Sequence, residues 1–359
     1  MENSKNINWQ KIVKPYANAD HRKSWLQFFN TVPMFFLTWF LAYKSLNVHY
    51  ALTLLFSVAC SIYMVRIFII MHDCGHGSYF KSKKLRTIVG YITGIISLTP
   101  YVQWCENHAT HHQTSGNLDK RGTGDVWTMT LKEYETASKW EKFQYRFYRF
   151  PLVTFIIGPV YLFWVIFRFT EKHNTKEGRQ SVYITNIALA IIAGVMAYTI
   201  GWKNFLLIEV PIVFMAQLLG TWLFYVQHQY EDVYWARNEN WSYFEAAIHG
   251  SSFLNLPKVM HWCTGYIGYH HLHHLSHKIP NYNLAKCHEE NEIFHTARHL
   301  GTFESFKSIF MNLYDEEKGD LISFNVATQR MKAATRDKAN SKVDAAIASF
   351  ASVDTGLGK

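Results

Sequence analysis

Long uncharged stretches alternate with polar ones along this 359-residue chain, and they set its architecture. Residues 25–43 contain no charged side chain. Residues 50–71 carry only Arg66. Residues 182–202 are again uncharged once the flanking polar segment ends, apart from nothing more acidic or basic than Tyr183. Residues 204–227 carry only Glu209. A helix crossing a bilayer needs about 20 apolar residues, so each run is long enough to span. A short connection, Lys44 to Tyr50, joins the first two, and Gly201-Trp202-Lys203-Asn204 joins the last two. The pattern predicts two helical hairpins.

Two further apolar runs, 87–104 and 151–167, are almost as long. Gly90, Gly94 and Pro100 interrupt the first, and Gly158-Pro159 interrupts the second. Such residues suit a broken or re-entrant segment rather than a continuous helix. Hydropathy alone gives six spans; four is the expectation adopted, for a reason the histidines supply.

The expected fold is therefore an all-α membrane protein. Four transmembrane helices in two hairpins carry a cytosolic helical cap. The membrane unit is expected over 1–320, with a polar, alanine-rich helical tail over 321–359. The tail is expected to have no catalytic role.

Charge orients this arrangement. The tight turns carry one basic residue each, Lys44 and Lys203. The segment before the first hairpin carries five, and residues 72–181 carry fifteen. The positive-inside bias places both termini and the central region in the cytoplasm. The opening segment is polar and lacks the apolar core of a signal peptide. A net charge of +9 fits cytoplasmic lysines and needs no nucleic-acid partner. The densest basic run, Lys81, Lys83, Lys84 and Arg86, reads first as an anchor to anionic headgroups. A docking face for a small acidic electron carrier is the second reading. Five cysteines form no CxxC pair and read as reduced thiols. Arg66, near the end of its run, is expected to snorkel to the interface.

The candidate chemistry lies in three histidine clusters. They are His72 and His76, then His108, His111 and His112, then His270, His271, His273 and His274. Imidazoles three or four residues apart share a helix face, so each cluster can aim two or three nitrogens at one point. His271 falls outside that pattern and is expected to be a neighbour. Eight imidazoles exceed the four ligands of an ordinary zinc site and suffice for two metal ions with open positions. Imidazole suits iron, copper, zinc and nickel. Redox metals beside lipid point to oxygen chemistry on a greasy substrate. If residues 87–104 crossed the membrane, His72 and His108 would lie on opposite faces, which is the reason for preferring four spans. Asp125 and Glu231 are expected behind the ligands, where a carboxylate would fix an imidazole's tautomer.

These boxes, with the stretches 108–129, 224–235 and 268–289, resemble the integral-membrane fatty-acid desaturase family over roughly residues 24–291. The likeness is greatest to bacterial acyl-lipid desaturases, the group of the Bacillus-type and cyanobacterial Δ12-type enzymes. The resemblance implies a non-haem di-iron centre, molecular oxygen as co-substrate, and electrons from ferredoxin or flavodoxin. It implies ligation by His72, His76, His108, His111, His112, His270, His273 and His274, with His228 as a ninth. In the acyl-CoA branch an asparagine stands four residues before that ninth histidine; here the position is Phe224. The expected activity is oxygen-dependent desaturation of acyl chains in membrane lipids, at Δ12 or Δ5, in a bacterial cytoplasmic membrane. A lipid hydroxylase or a carotenoid ketolase or hydroxylase would carry the same boxes. A membrane metal transporter would need ionisable residues along its spans, which are nearly free of them.

Overall fold

The computed structural model describes residues 8–354. Among the described residues three helices are long and apolar enough to cross a membrane: Tyr50–His76, Lys176–Ile200 and Trp202–His228. The first is capped by the His49 side chain, whose Nδ1 accepts from Ala51 N–H. It stops at Gly77, whose φ of 73° is readily available only without a β-carbon. At 27 residues it extends roughly 40 Å. That exceeds the hydrocarbon core of about 30 Å, so an end of the helix can stand clear of it. The second and third long helices form a hairpin around Gly201, which has φ 82°. The second turns Ile184, Ile187 and Ile191 outward, the face a lipid-contacting helix presents.

The first expected span departs from expectation. Residues 25–43 are divided between the helices His21–Phe29 and Val32–Ser45, with a break at Asn30 and Thr31. Pro33 sits in the first turn of the second helix. It has no N–H to offer Phe29, and its ring would crowd that carbonyl, so the chain starts a new helix there. The 14-residue helix rises only about 21 Å. It packs along the Tyr50–His76 helix, as the hairpin pattern requires.

The break accounts for Arg66, which does not snorkel. Arg66 is buried, with its guanidinium 3.8 Å from the Trp262 ring. It donates to Thr31 Oγ1, Asn30 Oδ1 and the Trp262 carbonyl. Side-chain oxygens of the two residues at the break thus satisfy the cation, where a lone charge would be costly.

The first interrupted run is bent within itself, at 97–100, whereas the second follows a bend at 149–152. Helices Lys83–Ile96 and Tyr101–Thr114 meet at 98°, and Lys139–Tyr148 and Val153–Arg168 at 60°. The first bend is tight because Tyr101 lies on Gly90: a β-carbon there would stand 2.3–2.6 Å from its ring atoms. Leu98 takes a positive φ of 58° in the turn. By length and composition the described residues offer three spans, or five if each bent pair is one.

The remaining chain forms short helices and five short strands. Met129–Thr130 pairs in parallel with Leu313–Asp315, which pairs antiparallel with Asp320–Ile322. Phe253–Asn255 pairs in parallel with His299–Gly301. The tail helix, Phe324–Asp354, follows. The strand Asp320–Ile322 runs across the boundary expected at 320. Ile322 and Ala327 pack with Tyr134, Tyr145 and Leu313, so the tail's first turn belongs to the same packed layer.

Candidate metal centre

Each histidine cluster sits at a helix end. His72 and His76 close the first long helix, four residues apart, with ring centroids 4.6 Å apart. His108, His111 and His112 occupy the last two turns of Tyr101–Thr114. The 98° bend carries that helix back against the first, which brings the His72 and His108 rings to 4.9 Å. His270, His273 and His274 lie on the helix His270–Leu275. His228 is the last residue of the third long helix.

The imidazoles sort into two groups. His72, His76, His108, His112 and His273 form one; His111, His228 and His274 form the other. Ligand atoms within each group lie within 4.8 Å of one another. His270 joins the second: its Nε2 is 2.9 Å from His228 Nε2 and 3.1 Å from His274 Nε2. The groups cut across the boxes. His111 and His112 are about 100° apart on their helix and aim at different points, as do His273 and His274. Adjacent histidines therefore serve two centres from one turn.

The donor set fits metal ions. Two nitrogens about 2.1 Å from one ion, at tetrahedral or square angles, stand about 2.9–3.4 Å apart. The observed Nε2···Nε2 separations include 3.0 Å for His72–His273, 2.9 Å for His112–His273, 3.0 Å for His108–His112 and 3.3 Å for His111–His228. His76 Nε2 is buried without a hydrogen-bond partner, as a nitrogen aimed at an ion would be. Burial and the neighbouring imidazoles hold His270, His273 and His274 well below the ordinary imidazole range. They are neutral at pH 7 and keep a lone pair for a metal. Neither group includes a carboxylate, so bound cations would retain their positive charge.

Behind the imidazoles stand two carboxylates. His111 Nδ1 is 2.8 Å from Asp125 Oδ1, where the sequence reading placed a partner. The approach depends on Gly124, whose φ is 74° and whose β-carbon would lie 2.9 Å from His111 Cβ. The second carboxylate is Asp73, which sequence reasoning did not select. Its Oδ1 is 2.9 Å from His72 Nδ1, and its Oδ2 accepts from the Asn281 amide at 2.7 Å and Nδ2 at 2.8 Å. Adjacency to His72 was its one sequence signal; the anchor comes from 208 residues away. Glu231 is not a partner of any box histidine in the structure. It lies exposed, because the chain leaves the third long helix after His228 and turns outward through Asp232, φ 64°. His228 Nδ1 instead meets the Gly250 carbonyl at 3.3 Å.

His271 faces away from both groups, with Nε2 3.1 Å from His288 Nδ1. His277 stands at the rim, its ring 5.0 Å from that of His76. Phe224 places its ring 5.5 Å from His111 and 5.2 Å from His228, an apolar wall beside the second group.

This arrangement can hold two redox metals side by side in a buried, all-imidazole setting. Comparison with known proteins agrees. The family described as Fatty acid desaturase matches residues 45–301. A Fatty acid desaturase of Bacillus subtilis (strain 168) is 46% identical over 314 residues, covering 88% of this chain and 89% of the relative. An sn-1 acyl-lipid omega-3 desaturase (ferredoxin) of Synechocystis is 28% identical over 247 residues, 62% of each chain. An endoplasmic-reticulum omega-3 fatty acid desaturase of Vigna radiata is 28% identical over 244 residues, covering 62% of this chain and 60% of the relative. With the family match spanning all three long helices and all three histidine boxes, this chain belongs to the fatty acid desaturase family, and it is an oxidoreductase with a histidine-ligated di-iron centre.

Proposed function

We propose that the enzyme desaturates acyl chains already esterified in membrane lipids, at Δ12 or Δ5, with electrons from ferredoxin or flavodoxin. The observation that carries the chemistry is the convergence of nine imidazoles into two groups without a carboxylate. Phe224 beside the second group, where the acyl-CoA branch has an asparagine, supports the acyl-lipid branch. So does the likeness to a relative described as an sn-1 acyl-lipid desaturase using ferredoxin.

Bound iron would supply the activation of molecular oxygen that removal of two hydrogens from adjacent methylenes requires. The balance is one O2, two electrons and two protons for one double bond and two waters. His72, His76, His108, His112 and His273 would hold one ion, and His111, His228, His270 and His274 the other. Asp73 and Asp125 would keep the Nε2 lone pairs of His72 and His111 turned inward. The protein's part is to fix the acyl chain against the metals, and regiochemistry follows from that position.

The reading includes a topology. Residues 1–320 form the membrane desaturase unit, with four spans in two hairpins, and 321–359 form its tail. Both termini and all boxes face the cytoplasm of a bacterial membrane. The lysine and arginine asymmetry supports this orientation. The bend that returns His108 to His72 supports one shared face.

Expression in a host lacking polyunsaturated lipids, followed by mass spectrometry that localises double bonds, tests the function. Unsaturated phospholipid should accumulate even while new fatty-acid synthesis is inhibited. Product made only from acyl-CoA, or a hydroxylated product, would overturn it.

A further inference from the structure

We propose that the exposed basic rim around Gly77 is the docking surface for a small acidic electron-carrier protein, and that electrons enter the first metal group there. The inference rests on the desaturase reading above and adds the place where its reductant binds.

Lys278 is exposed, yet its Nζ donates to the main-chain carbonyl of His76 at 2.7 Å. One hydrogen bond therefore separates a surface cation from a residue of the metal group. His277 fills the space beside it, its ring 5.0 Å from His76 and 5.9 Å from His112. Two cations converge on Gly77: the Lys278 and Arg86 side chains both come to 3.5–3.6 Å of where its β-carbon would be.

The charge around this opening is positive and largely uncompensated. Lys81, Lys83 and Lys84 are exposed on the turn and helix start that follow Gly77. Lys81 also lines a cleft of about 480 Å³ with Lys23 and Lys286. Asp20 is the one acid in that cleft, and its carboxylate caps the helix His21–Phe29. Among the described residues, Lys286 alone of these cations has a carboxylate within 4.0 Å, Glu290 at 3.8 Å. The surface is built from three segments distant in sequence: the N-terminal helix, the turn after the first box, and the segment after the third box. A tether to headgroups needs only charge near the bilayer. This surface instead joins its exposed cations to the metal group through the Lys278 hydrogen bond to His76.

The reaction consumes two electrons per double bond, and each turnover needs them replaced. They must come from a partner. Carrier proteins of one-electron chemistry that are acidic are steered by such a surface, and opposite charge raises association rates by factors of ten to a thousand.

The test uses the full-length, iron-loaded enzyme in nanodiscs of zwitterionic lipid, with reduced ferredoxin as the carrier. Lys81→Glu/Lys84→Glu is the variant. Lys84 lies in the first helical turn after Ser82, where an acidic residue is favourable, so folding is retained. The second-order rate of ferredoxin oxidation should fall about tenfold or more at low salt, and the wild-type rate should fall as salt rises. Turnover driven by a small chemical reductant should be unchanged. Equal ferredoxin rates for variant and wild type would overturn the proposal. So would loss of co-purifying anionic lipid with the ferredoxin rate intact, which would make the rim a lipid anchor. Failure of the desaturase reading is distinguishable: no unsaturated product would form with the chemical reductant either.

Discussion

Asp125 Oδ1 lies 2.8 Å from His111 Nδ1, while the opposite nitrogen of the same ring lies 3.3 Å from His228 Nε2. One carboxylate thereby fixes which nitrogen faces the second metal group. A neutral imidazole that donates from Nδ1 must present a lone pair at Nε2. Asp125→Ala should lower iron affinity about 10- to 100-fold. Iron content of purified protein, titrated against a chelator, measures it. Unchanged retention would show that Asp125 only fills space.

Adjacent histidines serve different groups, so their loss should differ by site. His111→Ala should deplete the second group and His273→Ala the first. Each should abolish product while the protein stays in the membrane. Iron per chain should fall toward one in each variant. Normal turnover by either variant, or stoichiometric zinc in a fully active enzyme, would contradict the assignment.

Gly90, on which the bend folds Tyr101, should be intolerant of any side chain. A β-carbon would meet the Tyr101 ring at 2.3–2.6 Å, so Gly90→Ala must move the ring or open the bend. Overpacking of this kind costs about 1–3 kcal/mol. The larger effect should be on activity, because the same bend positions His108. A lowered melting temperature together with lost product is expected. Full activity would mean that the bend does not set the box.

Topology can be read by labelling. Lys81→Cys and Lys120→Cys should react with an impermeant thiol reagent from the same, cytoplasmic side, in a background lacking the native cysteines. Reaction from opposite sides would dismantle the four-span arrangement and the shared centre together.

Removal of the metal should expose a pH dependence. Burial and neighbouring imidazoles depress His270, His273 and His274 well below the usual value. The unfolded chain takes up protons near pH 6.5 and the folded one does not. The unfolded state thus binds more protons below that pH, and stability falls as pH falls. Iron-free protein should therefore melt at progressively lower temperature from about pH 6.5 downward, with little change between pH 7 and 8. A flat profile through pH 5 would show that these imidazoles are not held neutral.

Hydropathy and histidine spacing determined most of what this chain is. Apolar length marked three long helices, and the i, i+3, i+4 spacing named the histidines that converge. Pro100 marked the bend through a local backbone effect, while Gly90 and Gly94 lie inside the helix before it and make room for Tyr101 and Thr99. Other features were decided only by the tertiary structure. The break at Asn30–Thr31 follows locally from Pro33, but its use is remote: those atoms satisfy Arg66, which hydropathy alone sends to the interface. The tail's attachment rests on a pairing of Ile322 with Leu313. Asp73 was passed over and Glu231 selected because closeness in sequence does not fix side-chain direction. Asn281 aims Asp73 at His72, and the turn at Asp232 sends Glu231 outward. The division of nine imidazoles into two groups was likewise invisible in the boxes. It needs four helix ends brought together, and spacing along one helix specifies only which side chains share a face.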